Sequence, residues 1–478
     1  MTQLSTASLS SLDVPVPTYD RSRLTVGVVH LGFGAFHRAH QALYLDQLMS
    51  QGGASEWAIC GVGLMPGDRR VNEVMRAQDC LYTVVLKHAD GTWEPRVVGS
   101  VAEHLFAPDD PEAVLARMTD PAVRIVSLTI TEGGYEQDPD TGEFAPASEA
   151  VLADLEGAAA PRSAFGFVVE ALRRRRDAGT EPFTVLSCDN VQGNGEVAHR
   201  TFVAFARRLD ADLGAWIEEH VTFPNCMVDR ITPVTTDEDR AEVTRRFGVE
   251  DGWPILAEPF GQWVVEDEFP LGRPALEEVG VQMVPDVHPY ELMKLRLLNA
   301  GHQVLSQAGA LAGHTYVHEA AQDAVLRPYV LDYMRLEAIP ILPEVPGIDL
   351  QDYTETLLER FANAELADTL ARVRAFSSDR VNTFMLPVVV ERGAAAAPRA
   401  VTTVAAWALV CEQGGEMVDL KEDRLREAGK NLAEDPVGFL RAADVPGGLA
   451  DDPAFVEAYL AALESIRANG IEATVRAI

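Results

Sequence analysis

The chain has 478 residues, with 73 acidic against 40 basic side chains and a formal net charge of −33. That balance excludes nucleic acid and anionic membrane surfaces as principal partners, since both demand a basic footprint, and no apolar run approaches the roughly 20 residues that span a bilayer. A hydrophobic content of 47% against 24% charged residues is that of a globular protein, and this length predicts two domains.

The first segment, "MTQLSTASLSSLDVPVPTYD", lacks the basic start and apolar core of a signal peptide. Cys60, Cys80, Cys188, Cys226 and Cys411 are scattered, odd in number and without metal-ligand spacing. Both features predict a soluble cytoplasmic protein.

"RLTVGVVHLGFGAFHRAHQALYLDQLM" gives an apolar, β-branched run at 24–31, a glycine turn and a helical pattern from about Ala39. Gly32 and Gly34 thus stand between strand and helix, the context of a dinucleotide-binding turn. His37 occupies the third glycine's slot, so a purely structural turn is the competing reading. After a second run, "WAICGVGL" (57–64), Asp68 falls where a Rossmann unit places the acid that bonds the adenosine ribose and repels a 2′-phosphate. Its distance from the glycines exceeds the usual roughly 20 residues, and an Asp in a Pro-Gly turn is also ordinary.

Further apolar runs follow at 82–86, 123–130 and 183–189, with helical patterns such as "AFGFVVEALRRRRDAG" between them. Strands and helices alternating in this way predict an α/β fold, a Rossmann-like, doubly wound and largely parallel sheet. Glu132, Gly133 and Gly134 close one strand, and Asp189 and Asn190 close another, at the sheet edge where ligands bind in such folds. The Pro/Gly/Ala-bearing stretch 138–163 reads as a surface excursion, and the Asp229–Arg230 pair in "FPNCMVDRITP" as a surface ion pair.

From 286 the pattern becomes Ala/Leu/Glu/Arg-rich and helical, which predicts a dinucleotide-binding domain at 1–285 and a mainly helical domain at 286–478. Within the latter, "MKLRLLNAGHQVL" reads as one oily helix carrying Lys294, Asn299 and His302. At about 100° per residue from Lys294, Glu291 falls near 60°, His302 near 80° and Asn299 near 140°, all on one side.

These segments, with "SLTITEGGY", "SCDN", "EPFGQWVVEDEF" and the Lys-x4-Asn-x2-His helix, resemble the polyol-specific long-chain dehydrogenases, the family of mannitol 2-dehydrogenase and of fructuronate and tagaturonate reductases. The likeness runs in one order from about 20 to 470. It implies an NAD-dependent, metal-independent enzyme interconverting a sugar alcohol and its 2-ketose, D-mannitol and D-fructose first among them. Lys294 would be the general acid/base, Asn190 and Asn299 the amide pair on the reacting oxygen, His302 an orienting residue and Glu291 a gate for proton exchange. Gly32, Gly34, His37, Asp68 and Glu132 would serve the cofactor, and Asp229, Arg372 and Arg380 would grip the remaining hydroxyls. Lysine suits this task only if its pKa falls from about 10.4 towards the working pH, as an apolar setting favours.

One segment departs from the family: a basic-x-Pro-Lys pattern reads here "SSDRVNTFMLP", with Asn382 and Thr383 in place of proline and lysine. A hexuronate reductase making D-mannonate from D-fructuronate is therefore the nearest alternative, and a non-catalytic dinucleotide-binding redox sensor a more distant one. The resemblance leans towards a monomer.

Overall fold

β-Branched runs that can bury both faces become central strands, and they do so here in the first part of the chain. The computed structural model describes residues 2–138 and 141–478. In chain order the strands are β1 (Thr2–Gln3), β2 (Val26–Leu31), β3 (Ala58–Gly63), β4 (Tyr82–Lys87), β5 (Trp93–Val98), β6 (Val101–Phe106), β7 (Ile125–Leu128), β8 (Thr184–Ser187), β9 (Cys226–Asp229), β10 (Val249–Glu250), β11 (Ile255–Ala257), β12 (Gln262–Glu266) and β13 (Gln282–Val284). Five of them form one all-parallel sheet, ordered β6-β3-β2-β7-β8. Counted along the chain this is 3-2-1-4-5, the doubly wound order whose direction reverses between β2 and β7.

Both faces of this sheet are covered. Val29, Leu31, Val126 and Leu128 pack with Phe165, Phe202 and Phe205, which come from the helices Ala164–Ala178 and Asn194–Leu209. On the opposite face Val28, Ile59 and Ile125 pack with Leu43 and Leu48 of the helix Gln41–Ser50. Each such burial is worth about 1.5–3 kcal/mol.

Two details differ from the sequence reading. The run at 82–86 joins a separate sheet, β11-β4-β5, while the third strand of the main sheet is β6. Its segment "VAEHLF" is masked in sequence by Glu103 and His104, which fall on opposite faces of the strand; His104 is nonetheless buried, its Nδ1 3.1 Å from Asn72 Oδ1. The stretch 138–163 is also more than a surface excursion: Phe144 and Val151 enter the core, and the helix Glu149–Leu155 ends near a buried Asp154 that accepts from Arg162 N, Ser163 N and Ser163 Oγ. Pro139 and Asp140 of that stretch lie outside the described residues.

The chain divides into two units: the described residues of 1–88 and 92–287, and 89–91 with 288–478. From residue 288 the described residues contain helices and no strand. No helix among the described residues is long and apolar enough to cross a membrane, and all five cysteines are free and buried.

Candidate active site

The glycine turn follows β2 at the point where the strand order reverses. Gly32 has φ +89°, and a Cβ on it would stand 2.1 Å from the Thr129 carbonyl oxygen, so only glycine fits. Gly34 is different: its φ is −87° and a Cβ would meet nothing closer than the Gly32 oxygen at 3.8 Å. The chain's own packing does not require a glycine there. An open cradle at this position is what a bound diphosphate needs, and the residues fit that group.

His37 is 1% exposed, and its ring stacks on His30 of β2 with centroids 3.4 Å apart. Its Nδ1 lies 3.2 Å from Gln41 Oε1. A third glycine ordinarily lets helix and strand approach closely; here two stacked imidazoles fill that gap, and burial drives both below the usual histidine range, His30 to about 3. The ring of His37 is thus held in place by packing against His30 and by Gln41. The helix Ala35–Ala39 is short and breaks at His40, whose φ and ψ are −120° and −91°.

Asp68 lies beyond the end of β3 in a single helical turn, Pro66–Asp68, and its Oδ2 accepts from Met65 N. β7 stops at Leu128, so Glu132 stands in the exposed turn Glu132–Tyr135 rather than on the strand. Thr131 there has φ +66°, a costly conformation for a β-branched residue. What holds it is Asp189 at the end of β8. Its buried carboxylate accepts from Ile130 N at 3.0 Å, Thr131 N at 2.8 Å and Tyr135 Oη at 2.7 Å. Asn190 follows it, exposed. Sequence reasoning placed Asp189 at the right edge and missed the clamp; the Asp-Asn at a strand end was its only signal.

Burial raises the Asp189 carboxyl to about 6, against hydrogen bonds that pull it down. Acidification through that value adds a proton to a carboxylate whose two oxygens serve three donors, and the Thr131 turn loses an acceptor. Dinucleotide affinity, measured by fluorescence titration from pH 7.5 to 5, is expected to fall below about pH 6; an affinity flat across that window would show that the turn does not touch the cofactor.

Asp229 and Arg230 are not a surface pair. Asp229 is 5% exposed on β9, and Arg230 donates to the carbonyls of Ala39 (2.6 Å), Phe260 (2.9 Å) and Pro259 (3.4 Å). Gly261 makes room for that guanidinium: a Cβ would stand 2.2 Å from Arg230 Nη2.

In the second unit the helix His288–Met293 runs through a π-helical turn, Lys294–Asn299, into the helix Ala300–Leu311. The Ala300 N–H reaches back to the Leu295 carbonyl, five residues earlier. This corrects the uniform helical projection. Where bonding runs from i to i+5 the helix is wider, so Asn299 lies nearer to Lys294 around the axis than the roughly 140° of a uniform helix. Glu291 and Lys294 are each 7% exposed; Asn299 and His302 are half-buried, and the His302 ring stacks on Phe361 at 4.0 Å.

Arg372, on the short helix Leu370–Arg374, is exposed and paired with Asp368 one turn back. Arg380 donates to the Val373 carbonyl at 3.1 Å. The two departures from the family pattern serve the fold: the Asn382 amide donates to the carbonyls of Ala443 (2.9 Å) and Asp444 (3.1 Å), and the Thr383 hydroxyl lies 3.4 Å from Asp379 Oδ1. Among the described residues no three His, Cys, Asp or Glu side chains gather where they would hold a metal ion.

A 3-2-1-4-5 parallel sheet with a glycine cradle at its reversal point, joined in one chain to a helical unit bearing a buried lysine, defines a Rossmann-type dinucleotide-dependent oxidoreductase. Residues 26–278 match the mannitol dehydrogenase Rossmann domain and residues 286–467 the mannitol dehydrogenase C-terminal domain. A mannitol 2-dehydrogenase of Pyrenophora tritici-repentis is 43% identical, over 99% of this chain and 85% of its own. The ternary complex of Pseudomonas fluorescens mannitol 2-dehydrogenase with NAD and D-mannitol superposes with a TM-score of 0.89 at 40% identity, covering 100% of this chain and 99% of that one. A substrate-free D-sorbitol dehydrogenase also gives 0.89, at 38% identity over 99% and 100%. The chain belongs to the mannitol dehydrogenase family.

Proposed function

We propose that the protein is an NAD-dependent polyol dehydrogenase interconverting D-mannitol and D-fructose, with Lys294 as general acid/base. The observation that carries this reading is full-length kinship, through both units, with an enzyme bound to NAD and D-mannitol. Bound NAD would supply the acceptor for the hydride of the carbinol carbon. Gly32, Gly34 and the Glu132 turn would hold the diphosphate side of the cofactor, and Asp68 would bond the adenosine ribose and repel a 2′-phosphate.

The chain's own part is proton handling and charge. As the C2 hydroxyl becomes a carbonyl its proton must leave, and Lys294 Nζ takes it. Burial removes the water that stabilises an ammonium, the condition for a lysine to accept a proton near neutral pH. Asn190 and Asn299 donate N–H groups to the oxygen as charge develops on it. Neutral amides suit this role, since a fixed cation would bind the alkoxide too firmly in the ground state. Glu291 passes the proton from Lys294 to solvent, His302 orients the substrate, and Asp229, Arg372 and Arg380 grip the other hydroxyls. The enzyme works as a monomer in the cytoplasm, a setting that its five free thiols suit.

The test is a steady-state panel of D-mannitol, D-sorbitol and D-mannonate, each with NAD and NADP. D-mannitol with NAD is expected to give the highest kcat/KM, with NADP at least about tenfold poorer, equivalent to 1.4 kcal/mol. Preference for D-mannonate would make the protein a hexuronate oxidoreductase instead, and equal use of NADP would remove the role given to Asp68.

A further inference from the structure

The second unit contains three π-helical turns, Lys294–Asn299, Tyr333–Ala338 and Val381–Met385. Such turns are rare and tend to occur at functional sites. Pro387 explains one of them: it has no N–H and its ring crowds the carbonyl four residues back, that of Thr383, so the helix entering Leu386–Arg392 must widen. Widening leaves carbonyls without their usual donors.

Arg296 supplies those donors. It lies inside the Lys294–Asn299 turn, 7% exposed, and its Nη1 donates to the carbonyls of Thr383 at 2.8 Å and Phe384 at 3.2 Å. The third turn closes the contact from the other side, where Tyr333 Oη donates to the Arg296 carbonyl at 3.4 Å. One guanidinium therefore ties the turn carrying Lys294 and Asn299 to the segment that follows Arg380.

We infer that Arg296 is the positioning residue of this active site: it sets the register between the turn bearing the proton acceptor and the segment bearing the substrate-gripping cation, without itself touching substrate. This rests on the reading of Lys294 as general acid/base. A buried arginine is costly to desolvate, and an apolar residue filling the same space is often no less stable. Its presence is explained if a wide turn has to be held wide, because a turn that relaxed to α-helical geometry would swing Asn299 away from Lys294 by about a quarter of a turn.

The experiment compares Arg296→Met, which keeps the stem, with Arg296→Lys, which keeps a cation able to reach a single carbonyl. Far-UV circular dichroism and the thermal midpoint, which report the helical second unit as well as the first, are the controls for intact folding. Arg296→Met is expected to lose about tenfold to a hundredfold in kcat, the scale of an ångström misplacement. Its KM for D-mannitol should rise and the rising limb of its kcat/KM profile should move to higher pH as water enters. Arg296→Lys should fall between it and the wild type in all three. Wild-type kcat, KM and pH profile in either variant would overturn the proposal. If Arg296→Met does not fold, Arg296→Lys decides alone. Lys294→Ala, run alongside, separates the two claims: full activity in that variant removes the reading of the site, whereas an inactive Lys294→Ala beside an unperturbed Arg296→Lys removes only the positioning role.

Discussion

Lys294→Ala is expected to lower kcat for D-mannitol oxidation by roughly 10²- to 10⁴-fold, the range spanned by a positioned general base, while NADH binds with nearly unchanged affinity. The asymmetry follows from where the residues live. The glycine cradle, Asp68 and the clamped Thr131 turn are all in the first unit, and Lys294 is in the second. Alanine is the best helix former, so the helix from His288 to Leu311 should persist. Pre-steady-state hydride transfer and a fluorescence titration of NADH, done on the same preparation, check both halves. A variant that lost NADH binding or failed to fold would make Lys294 a structural residue, and one retaining wild-type kcat would pass the proton to another group.

Much of this could be read from residue order. The strand-turn-helix pattern around Gly32, the polar strand ends and the switch to helix near 286 are local signals, carried by hydrophobic period and by glycine. What escaped were features that depend on partners distant in sequence. His37 reads as a motif letter until His30 is found stacked against it. Arg230 reads as half of an ion pair until the carbonyls of Ala39, Pro259 and Phe260 are found around it. The π-helical turn escaped for another reason: the segment 294–299 contains no proline or glycine, and the carbonyls that its Arg296 bonds, those of Thr383 and Phe384, are distant in sequence. A projection at 100° per residue has no means of registering that.

The two glycines of the turn should separate stability from binding. Gly34→Ala adds a methyl group to a residue at φ −87° with 3.8 Å of clearance, so the protein should keep its thermal midpoint or gain slightly, since Gly-to-Ala changes at compatible positions are worth about 0.4–1 kcal/mol through the unfolded chain. Gly32→Ala forces a Cβ to 2.1 Å from the Thr129 carbonyl at φ +89°, and a loss of several kcal/mol is expected from clash and strain together. Cofactor affinity should fall in both, but for different reasons: in Gly32→Ala because the turn is deformed, in Gly34→Ala because the methyl group stands where the diphosphate has to lie. A stable Gly34→Ala protein with NADH affinity reduced by about tenfold or more, seen in paired calorimetric melts and fluorescence titrations, would locate the dinucleotide on this cradle by its own contact. A stable Gly34→Ala protein that binds NADH as the wild type does would mean that the opening above Gly34 is not where the cofactor sits, and the assignment of the glycine turn would fall with it.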